Sequence, residues 1–191
     1  LNNNLERGEL VFVDKSNNST TDTNITTSTD LNLKTEIISE DLDTPWSMTF
    51  TNDNRLLVTE RTGSVVEILL DQGNQKRKIK EFPQIQGSGE EGLMSIVIDP
   101  EYNTNKWIYV AAAFPVGNEF EIKVLRYVDS GQSLEDETII IDKIPGARNH
   151  AGTGLGFGPD GKLYISTGDA LNREDAQNLE SLSDKIIRIS S

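Results

Sequence analysis

From about Leu33 onward, apolar positions come in short alternating runs broken by Asp, Asn, Gly and Pro, and no apolar stripe of helical period continues beyond two turns. This pattern predicts strands joined by tight turns, and therefore an all-β body. Three stretches repeat one another: "MTFTNDNRLLVTERTGSVVEIL", "IVIDPEYNTNKWIYVAAAF" with its continuation "IKVLRYV", and "LGFGPDGKLYISTGDA" with its continuation "DKIIRI". Each has an apolar strand end, a polar turn, a second strand that finishes on small or polar residues, and a third alternating strand. With Leu57, Tyr109 and Tyr164 taken as equivalent, the units lie 52 and 55 residues apart, close to the ~40 to 50 of propeller blades. A meander sandwich would also make its hairpins look alike. Against it stands the third strand, which recurs as "VVEIL", "VLRYV" and "IIRIS" at matching offsets. The reading is a β-propeller with about three blades in this chain, over residues 33–191. Propellers close with roughly four to eight blades, so the chain reads as part of a longer protein or as one that pairs with another copy.

Before that body the pattern is lost. Residues 15–30, "KSNNSTTDTNITTSTD", are nearly all Asn, Ser, Thr and Asp, a composition that buries too little apolar surface to offset the entropy of ordering. Residues 1–32 therefore read as a flexible tether, with "GELVFVD" (residues 8–14) as a possible isolated strand. Asn17, Asn18 and Asn24 stand in N-x-[ST] patterns, glycan acceptors if the protein is exported.

Composition removes several classes of function. With 18 Lys and Arg against 31 Asp and Glu the net charge is −13, which repels phosphate backbones and anionic headgroups. No stretch approaches the ~20 apolar residues of a membrane span. The chain begins at Leu1 without an initiator Met or a signal-type apolar region, and reads as a processed or trimmed chain. The absence of cysteine removes disulfides, thiolate catalysis and cysteine-ligated metals.

Candidate chemistry is concentrated in a few places. The run Gly152, Gly154, Gly156, Gly158 misses the dinucleotide pattern and leads into a strand, so it reads as a bare strand face open to close approach. "DPEYNTN" spaces its oxygen side chains like a calcium loop but lacks the loop glycine and the closing Glu. A turn between strands explains it better. "GSGEEGLMS" holds two adjacent carboxylates between glycines just before an apolar strand, so at least one is held near a sheet end. His150, the single histidine, stands at the start of the glycine-lined strand, and Gly168-Asp169 ends the next one. A carboxylate there can fix one ring nitrogen across the hairpin and leave the other as a base.

Together, "DTPWSMTF…RLLVTERTGSV", "GEEGLMSIVIDPEYNTNKWIYV", "NHAGTGLGFGPDGKLYISTGDA" and "AQNLESLSDKIIRI" resemble the soluble, pyrroloquinoline-quinone-dependent glucose/sorbosone (aldose sugar) dehydrogenase family, from about Leu42 to Ile189. The resemblance implies a six-bladed propeller that oxidises the C1 hydroxyl of an aldose to a lactone, passing hydride to the quinone while calcium holds the cofactor. It implies that His150 is the general base and that Asp169 orients it. By the same resemblance, Glu90 stands where the family usually has a sugar-contacting Gln, Asn149 at a position that accommodates an acidic residue, and Gln177 in the pocket-lining "AQ-L" motif. It further implies an external electron acceptor and an extracellular or periplasmic location. The quinone-gripping and calcium-binding groups are expected beyond Ser191, so that this chain, as the first half, would not hold its cofactor alone. Two departures stand out: the charge added at Glu90, and Ser183-Asp184-Lys185 in place of the family's glycine at a strand start. A non-catalytic extracellular propeller that binds a partner is the competing reading. A lactonase-type propeller would need clustered Asp, Asn and Glu calcium ligands that this half does not display.

Overall fold

The structure is a computed structural model that describes residues 34–190. It divides into residues 1–40, whose described part carries no strand or helix, and a compact unit that begins at Asp41. The tether, the "GELVFVD" run and the three N-x-[ST] asparagines lie outside the described residues.

Eleven strands form three antiparallel sheets among the described residues. The first comprises β1 (Pro45–Phe50), β2 (Arg55–Glu60), β3 (Ser64–Leu69) and β4 (Gln75–Glu81), hydrogen-bonded in chain order. The second repeats that meander with β5 (Leu93–Ile98), β6 (Trp107–Val116), β7 (Glu119–Asp129) and β8 (Leu134–Gly146). The third consists of β9 (Thr153–Phe157), β10 (Leu163–Thr167) and β11 (Ile186–Ile189). "DPEYNTN" forms the β5–β6 turn, with a four-residue helix α1 (Tyr102–Asn105). The Asp99 carboxylate closes that turn by accepting the Glu101 N–H and the Asn105 side-chain amide, both at 2.9 Å. Leu57, Tyr109 and Tyr164 all fall on second strands, and the three recurring "third strands" are β3, β7 and β11.

The sheets stack face to face, with the first strand of each beside the first strand of the next. Hydroxyls stitch that junction: Ser47 Oγ accepts the Ile96 N–H at 3.4 Å, and Ser95 Oγ accepts the Leu155 N–H at 3.0 Å. Between the first two sheets lies a core of Leu57, Val65, Ile79 and Phe82 against Leu93, Ile96, Ile108, Val110 and Tyr127. Between the second and third, Tyr109, Ala111 and Val124 meet Leu163 and Ile165. Each such aliphatic side chain stabilises by about 1.5–3 kcal/mol on burial. The middle strands β2 and β6 are apolar on both faces because both faces are covered, which is why they read as continuous runs. Sheets of this meander, stacked around their first strands, are the blades of a β-propeller.

At the end of the stack where the first strands begin, the blades repeat a backbone device. Thr44, Gly92 and His150 each precede a first strand and each has positive φ (53°, 144° and 60°). The carbonyl of each accepts an N–H from a residue just beyond the second strand's pairing with the first: Arg61 at 3.0 Å, Ala113 at 2.9 Å and Ala170 at 3.2 Å. His150 thus occupies in the third blade the place of Thr44 and Gly92 in the others.

Candidate functional site

His150 sits in the loop between β8 and β9, at the mouth of the third blade. Its neighbour Ala151 is fully buried with Met94, Ala113, Ile122 and Ile144, which anchors the backbone while the imidazole stays about half exposed (side chain 49%). Asp169, one residue past Gly168 at the end of β10, places Oδ1 2.9 Å from His150 Nδ1. A carboxylate only accepts, so Nδ1 carries the hydrogen, and in the neutral ring Nε2 then has the lone pair. Asp169 also accepts the Leu171 N–H at 3.0 Å. The bond from His150, then that from Leu171, holds its carboxyl below the usual aspartate value.

The hairpin closes tightly here because Gly168 has no side chain: a Cβ on it would overlap the His150 carbonyl oxygen. His150, Ala170 and Leu171 all take left-handed backbone (φ 60°, 48° and 65°), a concentration of strained non-glycine residues of the kind found where surroundings over-determine a functional geometry.

The second blade adds the loop before β5. Glu90 Oε2 accepts the backbone N–H of His150 at 2.5 Å. The Glu90 and Glu91 amides both donate to the Arg148 carbonyl, at 2.8 and 3.3 Å. Glu91 is the buried carboxylate of the pair, 2% exposed. It accepts from Ser88 N–H (2.8 Å), Ser88 Oγ (2.7 Å) and Gly89 N–H (2.7 Å). Burial pushes its pKa up, but these bonds outweigh burial and bring it below the usual glutamate value.

Of the sequence-predicted residues, the structure brings His150, Asp169 and Glu90 into one bonded group, with exposed Asn149 next to it in the chain. Gln177 ends a short 3-10 helix, Arg173–Gln177, and has no part in the bonds joining the other three. That loop is held by Lys185, whose Nζ donates to the carbonyls of Ser183 (2.7 Å), Asp175 (2.8 Å) and Ala176 (3.2 Å). The roles of Gly168, the Arg148 carbonyl and Lys185 had no distinct signal in the sequence. The glycine run is bare only in part: a Cβ built on Gly152 or Gly156 meets nothing within 4 Å, whereas one on Gly154 would lie 2.8 Å from Ser166 Oγ and one on Gly158 2.5 Å from the Tyr164 ring.

A stack of antiparallel meanders, two of four strands and one of three, with a bonded His–Asp pair at the mouth of the third, defines part of a β-propeller. Residues 42–191 match the glucose/sorbosone dehydrogenase family, and the chain belongs to it. Quinoprotein glucose dehydrogenase B of Acinetobacter calcoaceticus is 26% identical over 149 residues, covering 72% of this chain and 31% of that protein. The solved PQQ-bound form of aldose sugar dehydrogenase from Streptomyces coelicolor superposes with a TM-score of 0.70 at 27% identity, covering 81% of this chain and 47% of that one. Hedgehog-interacting protein of Homo sapiens is 30% identical over 148 residues, 68% of this chain and 21% of that protein. The chain thus spans about a third to a half of the length of the two dehydrogenases it resembles.

Proposed function

We propose that this chain carries the proton-accepting side of a quinoprotein sugar dehydrogenase that oxidises the C1 hydroxyl of an aldose to a lactone. The observation that carries the reading is the 2.9 Å bond between His150 Nδ1 and Asp169, in a chain whose family contains quinoprotein sugar oxidoreductases. The oxidation removes one proton and one hydride from the sugar. His150 Nε2 takes the hydroxyl proton, and the imidazolium that forms is paired with Asp169 as it forms. Asn149, beside it, and Gln177, in the loop that Lys185 holds, are the proposed sugar contacts.

The hydride acceptor in this family is pyrroloquinoline quinone, whose carboxylates and calcium partner need cations and clustered oxygens. The described residues do not fit that group alone. No group of three or more His, Cys, Asp or Glu side chains suited to a metal occurs among them. Of the basic side chains nearby, Lys185 donates to three carbonyls and Arg148 to that of Ser88 at 3.4 Å. We place the grip on quinone and calcium with residues outside this set, and the residues of this chain supply the proton-accepting side alone.

Residues 1–32 are proposed as an exported tether that carries glycans at Asn17, Asn18 or Asn24, and residues 33–191 as the propeller part. None of the described helices is long and apolar enough to cross a membrane. The proposed location is extracellular or periplasmic, with an external electron acceptor.

The match to Hedgehog-interacting protein favours a second reading, a propeller that binds a protein partner without catalysis. One assay separates the two. The polypeptide carrying this chain is mixed with pyrroloquinoline quinone and Ca²⁺, then given aldoses and a redox dye. Sugar-dependent dye reduction supports the dehydrogenase. Failure to bind quinone or reduce dye with any aldose overturns it in favour of the binding module.

A further inference from the structure

The bond between Glu90 and the His150 amide has a different chemical meaning from a sugar contact. We infer that Glu90 is a positioning residue for His150: its carboxylate locks the backbone of the base from the neighbouring blade. The proposal rests on the reading of His150 as the base and revises the role expected for Glu90 from family resemblance.

The stretch from residue 147 to 152 contains no strand or helix. His150 there holds φ at 60°, a conformation that costs an ordinary L residue about 1–2 kcal/mol. An exposed loop residue in that state keeps one geometry only if its polar groups are tied. Within its own blade the ties are Ala170 N–H to the His150 carbonyl and Asp169 to the imidazole. These fix the carbonyl and the ring, but leave the amide side of the residue free to pivot. The missing restraint comes from the second blade, where Glu90 Oε2 accepts the His150 N–H at 2.5 Å and the Glu90 amide donates back to the Arg148 carbonyl at 2.8 Å. The two loops are thus pinned in both directions across one residue. A bond from a backbone N–H to an ionised carboxylate is short and roughly twice as strong as a neutral one.

The clamp is itself preformed. Glu91, buried beneath it, accepts three hydrogen bonds from Ser88 and Gly89 and so fixes the turn that presents Glu90. Gly89 permits the approach, since a Cβ there would overlap the Arg148 carbonyl oxygen. A continuous set of bonds therefore runs from Glu91 through the 88–90 turn to His150 and on to Asp169. A glutamine at position 90 retains an accepting oxygen and an alanine does not, which makes the pair of substitutions a direct probe.

The test compares wild type, Glu90→Gln and Glu90→Ala. The His150 amide is followed by NMR and steady-state aldose oxidation is measured in the cofactor-loaded protein. The expected wild-type amide proton is shifted downfield and protected from exchange. Glu90→Ala loses both signatures and lowers kcat about 10²-fold, the loss typical of a reacting group misplaced by about 1 Å, with little change in KM. Glu90→Gln keeps the protection and loses far less of kcat than Glu90→Ala. An amide unmoved by Glu90→Ala, accompanied by a raised KM, overturns the proposal and returns Glu90 to the sugar. An amide that moves while both Glu90→Ala and His150→Ala keep wild-type kcat overturns the assignment of the base, and the proposal with it.

Discussion

His150 Nδ1 and Asp169 Oδ1 lie 2.9 Å apart across the hairpin formed by β9 and β10, so the ring is held by a carboxylate only 19 residues away in the chain. That carboxylate selects the tautomer in which Nε2 carries the lone pair, as the proposed base requires. Asp169→Asn offers an amide that can donate to Nδ1 and stabilise the other tautomer. The expected outcome in the cofactor-loaded protein is a kcat lowered by about 10²- to 10⁴-fold, with KM for the sugar changed by a few-fold at most. Steady-state kinetics of Asp169→Asn beside wild type checks it.

Acid should loosen the site through its carboxylates. Asp169, held low by His150 and Leu171, and Glu91, held low because its bonds to Ser88 and Gly89 outweigh burial, both have folded pKa values below the ordinary 3.8 and 4.5. The unfolded chain therefore binds protons first, so stability is fully present above those ordinary values and is lost as pH falls through the lower folded ones. Glu91→Gln removes one of these titrations. Its urea-unfolding free energy is expected to fall less steeply than wild type below pH 4.5, as a pH series of unfolding curves would show.

Two glycines of the same hairpin should behave oppositely. Gly168→Ala places a methyl on the His150 carbonyl oxygen and is expected to cost about 1–3 kcal/mol and to displace the imidazole. Gly156→Ala meets nothing within 4 Å and is expected to stay within about 0.5 kcal/mol of wild type. Thermal melts of the two variants, with activity alongside, test the contrast.

Away from the site, Arg55 joins the first two blades: its guanidinium reaches Glu67 at 2.8 Å and Asp129 at 2.7 Å, two carboxylates that are 0% and 1% exposed. Removing the cation leaves Asp129 buried without it, while Glu67 keeps Arg77 at 2.5 Å, so Arg55→Met is expected to destabilise by about 3–5 kcal/mol. Double replacement of Arg55 and Asp129 by apolar residues should cost less than the two single changes summed. Urea unfolding of the single and double variants measures it.

The blades were legible because alternation, turn residues and the recurrence of Leu57, Tyr109 and Tyr164 are local signals, and the fold repeats one local unit. The His150–Asp169 pair was legible for the same reason, since one hairpin register brings both ends together. The partner of Glu90 was not. Its bond spans 60 residues between blades, and strand pattern within a blade carries no information on how loops of adjacent blades meet. The "EE" stretch announced a held carboxylate without saying which; burial selects Glu91 for the turn and leaves Glu90 for His150. At the departure Ser183-Asp184-Lys185, Asp184 takes φ 55°, the left-handed state for which glycine is suited. Lys185 meanwhile organises the adjoining loop through carbonyls that no motif identifies.

The most direct test of the account is the aldose turnover of His150→Ala in the polypeptide carrying this chain, loaded with pyrroloquinoline quinone and Ca²⁺ and checked for unchanged quinone binding. A base of this kind is worth about 10²- to 10⁴-fold in rate, and a fall in kcat of that size is the expected result. A variant that binds quinone and oxidises aldoses at the wild-type rate would contradict it.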